Sequence, residues 1–392
     1  MVPPPRKQLP EDVVIVSALR TPLCRSRKGA LATVPPSTLV ETVFRATLEK
    51  TSVRGSDVED ICMGNCLMPP SGFAAVRMAQ VVSGIAYTAG LQMVNRQCSS
   101  GLQAVAHIAN AIQTKQITIG IGGGVESMSF YPMNSIKAPD VNWDVMQANK
   151  TAMDCLIPMG VTSENVVEAY NLQRSKLDQF AVESHQKAAQ AQAAGKFSSQ
   201  IVPVGTVTQD DGIRSQTTME ILSKLKPVFK ENGVTTAGNS SQTTDGAAAV
   251  LLMTRAEAQR RGLPILGVWR GYAVKGVPPH VMGIGPAVAI PQVLKQCQLE
   301  IDDIDVFELN EAFASQATWC RDELNIPPHK VNPNGGAIAL GHPLGCTGAR
   351  QIATLLPEMH RQRYRYGVIS MCIGTGMGAA AVIEVEQHQS KL

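Results

Sequence analysis

Asn95-Arg96-Gln97-Cys98-Ser99-Ser100-Gly101-Leu102-Gln103-Ala104-Val105 is the stretch on which the reading of the fold turns. Leu102, Val105, Ala106, Ala109 and Ile112 recur with helical period, which predicts a helix over residues 99–113. Residues 117–121 then read as a strand ending in Gly122-Gly123-Gly124. Upstream, residues 12–17 form a short β-branched run bounded by Pro10 and Thr21-Pro22, the pattern of a buried strand. Residues 37–50 read as a helix capped by Ser37 or Thr38, and residues 58–63 as a second strand. Strands alternating with helices argue for an α/β fold.

The second half of the chain echoes this one. Ser56-Asp57-Val58-Glu59-Asp60-Ile61 resembles Asp302-Asp303-Ile304-Asp305-Val306-Phe307, and Gly101-Leu-Gln-Ala-Val resembles Gly348-Ala-Arg-Gln-Ile. The two spacings agree to within one residue, which points to a duplicated α/β unit. Between the halves the pattern changes. Residues 128–239 carry a Met-rich polar stretch, a long helical run over 163–195 and the turn signals Asp210-Asp211-Gly212 and Glu231-Asn232-Gly233. The expected organisation is a first half over residues 1–127 completed by 240–264, an inserted loop domain over 128–239, and a second half over 265–392.

At 392 residues the chain exceeds one ordinary core. Hydrophobic residues make up 44% and charged residues 17%, which suits large buried surfaces. Thirty-five basic against 32 acidic residues leave +3, so there is no electrostatic case for nucleic acid. No apolar run reaches the length of a membrane span, and residues 1–10 have no apolar signal core. Nine irregularly spaced cysteines fit a reducing compartment with free thiols. Cys62-x-x-x-Cys66 lacks a second pair or a nearby His, so no metal site is expected. Ser390-Lys391-Leu392 is a tripeptide read by the peroxisomal import receptor when it stands at a free C-terminus.

Three residues carry chemistry. Cys98 stands just before the helix expected at residue 99, where free N–H groups and the helix dipole would lower a thiol pKa and hold an oxyanion. His342, in Gly341-His342-Pro343-Leu344-Gly345, is the one histidine of seven held on a glycine- and proline-shaped loop before a helix. Cys372 ends a strand and precedes Gly374-Thr375-Gly376, after which residues 379–385 read as strand again. That order is a hairpin with exposed N–H groups, not a dinucleotide loop, which needs a helix after its glycines. Asn310-Glu311-Ala312-Phe313 follows another strand; its Asn is either a cap or the holder of a catalytic water. Two thiols and an imidazole suit acyl transfer through a thioester.

Taken together, Asn-Arg-Gln-Cys-Ser-Ser-Gly, Asn-Glu-Ala-Phe, Gly-His-Pro-Leu-Gly and Cys-Ile-Gly-Thr-Gly closely resemble the motifs of the thiolase family, over residues 13–385. Residues 154–165 and 225–241 look like its peroxisomal, degradative branch. The resemblance implies a five-layered α/β/α/β/α fold of two similar halves and a homodimer. It implies cleavage of 3-ketoacyl-CoA by CoA, which is a substrate, with no further cofactor and no metal. Cys98 would be the nucleophile, His342 its base and Cys372 the second acid and base. One oxyanion hole would be His342 plus a water held by Asn310, the other the N–H groups of Cys98 and Gly374. Arg214 and Ser241 would meet CoA, and Met159, Met282, Ala312 and Phe313 would shape the thioester pocket. Pro158, where acetoacetyl-CoA relatives often carry His, favours a broader acyl range, and the tripeptide implies the peroxisome.

Three rivals are weighed. Condensation of two acetyl-CoA uses the same residues and separates only by chain-length preference. Decarboxylating synthase chemistry usually needs a His or Asn where this chain has Cys372. A non-catalytic acyl-CoA carrier needs none of Cys98, His342 and Cys372.

Overall fold

A computed structural model describes residues 6–135 and 139–386. The tripeptide Ser390-Lys391-Leu392 lies outside the described residues.

The first half opens with β1 (Val13–Arg20) and the short β2 (Cys24–Arg25), then α1 (Pro36–Thr51), β3 (Asp60–Gly64), α2 (Gly72–Val82), β4 (Gly90–Val94), α3 (Ser100–Gln113) and β5 (Ile119–Ser127). The connecting segment carries α4 (Met159–Ala169) and α5 (Arg174–Ala193), after which β6 (Thr244–Thr254) returns to the sheet. The second half runs β7 (Gly267–Gly276), α6 (Gly285–Cys297), β8 (Val306–Leu309), α7 (Ala314–Glu323), α8 (Thr347–Gln362), β9 (Tyr366–Ile373) and β10 (Met377–Glu384).

Hydrogen bonding orders these strands β4-β3-β5-β6-β1-β7-β10-β9-β8, with β2 on β6. The order is two copies of one pattern set back to back. In each, a long hairpin partner (β6 or β10) lies between the opening strand (β1 or β7) and a parallel pair (β3–β5 or β8–β9). The first half extends its parallel pair with β4; the second has only an isolated parallel bridge, Phe307 with Val331, at that place. The halves meet where β1 pairs with β7 at Val14 and Ile15.

Alternation on the strands builds the layers. Val13, Ile15 and Ala18 of β1 and Ala248, Val250 and Leu252 of β6 turn toward a central layer made by α3 and α8. Val14, Val16, Ala249 and Leu251 turn the other way, onto α1 and α2. In the second half Val368, Ala380 and Val382 face α6 and α7, while Ile369, Met371 and Ala381 face the central layer. The result is helix, sheet, helix, sheet, helix. Each fully buried Leu or Ile contributes about 1.5–3 kcal/mol to it.

The first helix starts at Pro36 with Pro35 as its N-cap, so neither Ser37 nor Thr38 caps it. Three further expectations need correction. The strand expected over 117–121 runs on through the glycines to Ser127. Glycine is needed there because α3 packs so close that a Cβ on Gly122 would lie 2.5 Å from Val105 Cα. The helix expected over 163–195 is two helices, broken where Asn171 takes a left-handed φ of 51°. The third is the protonation of Cys98, whose side chain is buried.

Candidate active site

The central helices place the site. α3 and α8 pack on each other between the sheets, and both start at the same end of the molecule. Cys98 stands two residues before α3, buried, with Met128 and Leu344 against it. His342 sits on the loop entering α8. Its backbone N–H donates to Gln242 O (3.0 Å), and Thr347 Oγ, at the first residue of α8, lies 2.6 Å from Nδ1. Nε2 then faces the Asn310 amide nitrogen at 3.4 Å. Asn310 follows β8 and is pinned by its N–H to Ser370 O (2.9 Å); its own amide oxygen is buried with no partner among the described residues.

Cys372 is buried near the end of β9. The hairpin of β9 and β10 turns through Gly374-Thr375-Gly376, as expected, and the Gly374 N–H donates toward the Cys98 sulfur. Gly376 holds the turn: its φ is 94°, and a Cβ there would meet Val277 O at 2.5 Å. Cys372 packs with Met282, Ala312, Met159 and Phe313 in one apolar cluster, so these four residues share a wall beside the second thiol.

Electrostatics corrects the expectation for Cys98. Its thiol is not lowered; burial pushes it up to about 12, against the pull of the Gly374 and Cys98 N–H groups, and the nearby Glu126 carboxylate adds to the rise. Cys372 is pushed up by burial and by Cys98 and Cys320. His342 is driven down to about 3, by burial first and the Arg350 cation second. The resting site therefore holds two neutral thiols and a neutral imidazole. A neutral imidazole can accept a proton, and each neutral thiol can give one.

A cavity of about 630 Å³ approaches this cluster. Arg214 and Ser241 both line it, together with Arg25, Arg27, Lys28 and Met128. Met128 also touches Cys98, and Phe229 of the wall meets Phe313 edge-on at 6.1 Å, so the cavity adjoins both thiol clusters. Ser241 N–H donates to Ala312 O (3.0 Å), which ties this wall to the loop after Asn310.

Sequence reasoning did not single out Glu126, Thr347, Met128 or the Arg25–Lys28 side of the cavity. Glu126 is the most consequential of these. It is wholly buried, and burial raises its carboxyl to about 7 while the N–H groups of Gly345, Leu67 and Cys66 pull it down. Its one sequence signal is an acid in an otherwise apolar and glycine-rich strand. Among the described residues, no cluster of His, Cys, Asp and Glu could hold a metal ion, and no helix is long and apolar enough to cross a membrane.

Comparison with known proteins agrees with this architecture. The thiolase N-terminal domain matches residues 13–256 and the thiolase C-terminal domain residues 263–385. The human peroxisomal 3-ketoacyl-CoA thiolase is 54% identical over 387 residues, covering 95% of this chain and 91% of that protein. The dimeric peroxisomal thiolase of Saccharomyces cerevisiae superposes with a TM-score of 0.92 at 44% identity, covering 97% of this chain and 99% of that one. The Bacillus anthracis acetyl-CoA acetyltransferase superposes with a TM-score of 0.87 at 35% identity, covering 95% and 98%.

Proposed function

Because the chain belongs to the thiolase family, we propose that it is a peroxisomal 3-ketoacyl-CoA thiolase, which uses CoA to cleave 3-ketoacyl-CoA into acetyl-CoA and a shortened acyl-CoA in fatty acid β-oxidation. The observation that carries the reading is that Cys98 lies by Cys372 and the Gly374 N–H, with Leu344 of the loop bearing His342, partner of Asn310, packed on Cys98, beside a cavity lined by Arg25, Arg27, Lys28 and Arg214.

His342 takes the Cys98 proton as the sulfur bonds to the 3-keto carbon. The C2–C3 bond breaks, leaving an acyl group on Cys98 and the enolate of acetyl-CoA, which Cys372 protonates at C2. CoA then gives its thiol proton to Cys372 and attacks the thioester; Cys98 leaves and recovers its proton from His342. The N–H groups of Cys98 and Gly374 stabilise the oxyanion at the attacked carbon, and His342 with a water on Asn310 stabilises the enolate. Preformed donors in a dry site of this kind are worth about 3–4 kcal/mol each.

Residues 128–239 bind CoA. Arg214 meets the adenine or phosphates, Ser241 the pantetheine, and Met159, Met282, Ala312 and Phe313 shape the thioester pocket. The protein acts as a homodimer. β4 is an edge strand, partly exposed and paired only with β3 among the described residues, and α2 beside it exposes Met78 and Val82; a second copy would cover both. Import uses Ser390-Lys391-Leu392.

CoA-dependent cleavage across a 3-ketoacyl-CoA chain-length series, with Cys98→Ala alongside, tests the reading. Activity reaching medium and long chains and lost in the variant is expected. Activity confined to acetoacetyl-CoA would move the assignment to the short-chain thiolases, and none at all would point to an acyl-CoA carrier.

A further inference from the structure

We infer that Glu126 is a positioning residue of this site: its carboxylate, standing where the second half carries Cys372, ties the segment flanking Cys98 to the loop that carries His342. The inference rests on the roles proposed above for those three residues.

The correspondence follows from strand register. In the first half β3 and β5 run parallel with Gly64 opposite Gly124; in the second, β8 and β9 run parallel with Leu309 opposite Ser370. The next residue on the shorter strand is Asn65 in one half and Asn310 in the other. Two residues further along the longer strand stand Glu126 and Cys372. α3 and α8 start at Ser100 and Thr347, so Cys98 corresponds to Gly345.

Glu126 uses this place to reach across the halves. Oε2 accepts from Gly345 N–H (2.9 Å) in the second half and from Cys66 N–H (3.0 Å) in the first. Oε1 accepts from Leu67 N–H (3.1 Å) and Asn65 Nδ2 (3.0 Å). No cation pairs with it among the described residues. A buried carboxylate costs several kcal/mol unless its oxygens are satisfied, and here every donor comes from a segment that borders the site. Gly345 is three residues from His342. Cys66 packs with Cys98, and its thiol donates to Gln97 O at 2.8 Å. Losing the clamp would let the two loops drift apart.

The groups facing Cys98 are Glu126 from β5, Cys66 from the turn after β3 and Cys372 from β9; those facing Glu126 are Cys66, Cys98 and Cys346 before α8, with Arg350 of α8 beyond, facing Cys346 and His342. Glu126 is the one acid of that set. When ionised, above about pH 7, it opposes ionisation of the Cys98 thiol.

Glu126→Gln keeps the size, removes the charge and sets an amide N–H against a backbone donor. The expected result is a kcat for thiolysis roughly tenfold to 100-fold lower with KM for CoA unchanged. The pH midpoint for alkylation of Cys98 by iodoacetamide, read by peptide mass spectrometry, moves down. A folded Gln variant with wild-type kcat and wild-type midpoint overturns the inference. If circular dichroism shows that variant unfolded, Asn65→Ala removes one donor and keeps the charge; a lower kcat with unchanged KM supports the inference, and an unchanged kcat overturns it. Wild-type protein inert on every 3-ketoacyl-CoA would remove the reading of function instead, and the alkylation midpoint would then decide the role of Glu126 alone.

Discussion

Two residues before its central helix the first half carries Cys98; at the corresponding place the second half carries Gly345. Two residues past its parallel register the first half carries Glu126, the second Cys372. Each half reaches for the other's helix start. Glu126 accepts from Gly345 N–H, and Gly374 N–H points at the Cys98 sulfur. Duplication thus sets two helix N-termini and two strand ends at one spot, and divergence gives them different work. On the reading proposed above, the first half supplies the nucleophile and Glu126, the second the base and the proton shuttle, and the oxyanion donors come from both, the Cys98 and Gly374 N–H groups. Neither half holds a complete site.

The sharpest way to break this division is to remove one thiol from each half. Cys98→Ala and Cys372→Ala both lose thiolysis by roughly 1,000-fold or more. They differ in one respect: Cys372→Ala keeps a Cys98 that iodoacetamide alkylates. Equal alkylation of Cys98 and Cys372 in the wild type, or residual turnover near wild type in either variant, would erase the distinction.

A smaller effect tests the turn that only the second half possesses. Gly376→Ala forces a side chain onto a φ of 94° and into Val277 O, at a cost of at least about 1–2 kcal/mol. Melting temperature falls, and kcat falls further because Gly374 shifts from Cys98. An unchanged melting temperature would show that the turn is not under this constraint.

The smallest expected effect is a contrast in pH slope. His342 falls from 6.5 to about 3 on folding, so its contribution is present above 6.5 and is lost as pH falls toward 3. Glu126 rises from 4.5 to about 7, so its contribution is present below 4.5 and is lost as pH rises through 7. Between pH 7 and 5 the two oppose each other. His342→Asn should flatten the decline of melting temperature on acidification, and Glu126→Gln should steepen it. Slopes that move together would mean that one of the two groups does not titrate in the direction its burial sets.

Much of this contrast between the halves is legible in the amino-acid sequence. The echo of residues 101–105 at 348–352 marks the duplication, and short apolar runs mark β1, β6 and β9. Cys98, His342 and Cys372 stand out because glycine and serine turns surround them. Glu126 does not, because nothing local distinguishes an acid at a strand end that faces water from one that faces four donors. The glycines before it read as a turn, since glycine is at home in turns; what makes them strand is α3 lying against them. The long helical run over 163–195 hides its break because Asn171 interrupts the backbone without interrupting the apolar period.

By itself the sequence determined the alternation of strands and helices, the repeat of the unit and the reactive side chains, because period and turn chemistry act over a few residues. Only the tertiary structure decided the protonation states. Helix-end geometry would lower the Cys98 thiol, yet burial raises it to about 12 and lowers His342 to about 3. Desolvation is a property of everything packed around a group, much of it from the opposite half of the chain. For the same reason the partnership of Glu126 with Gly345 exists only once the two halves have met.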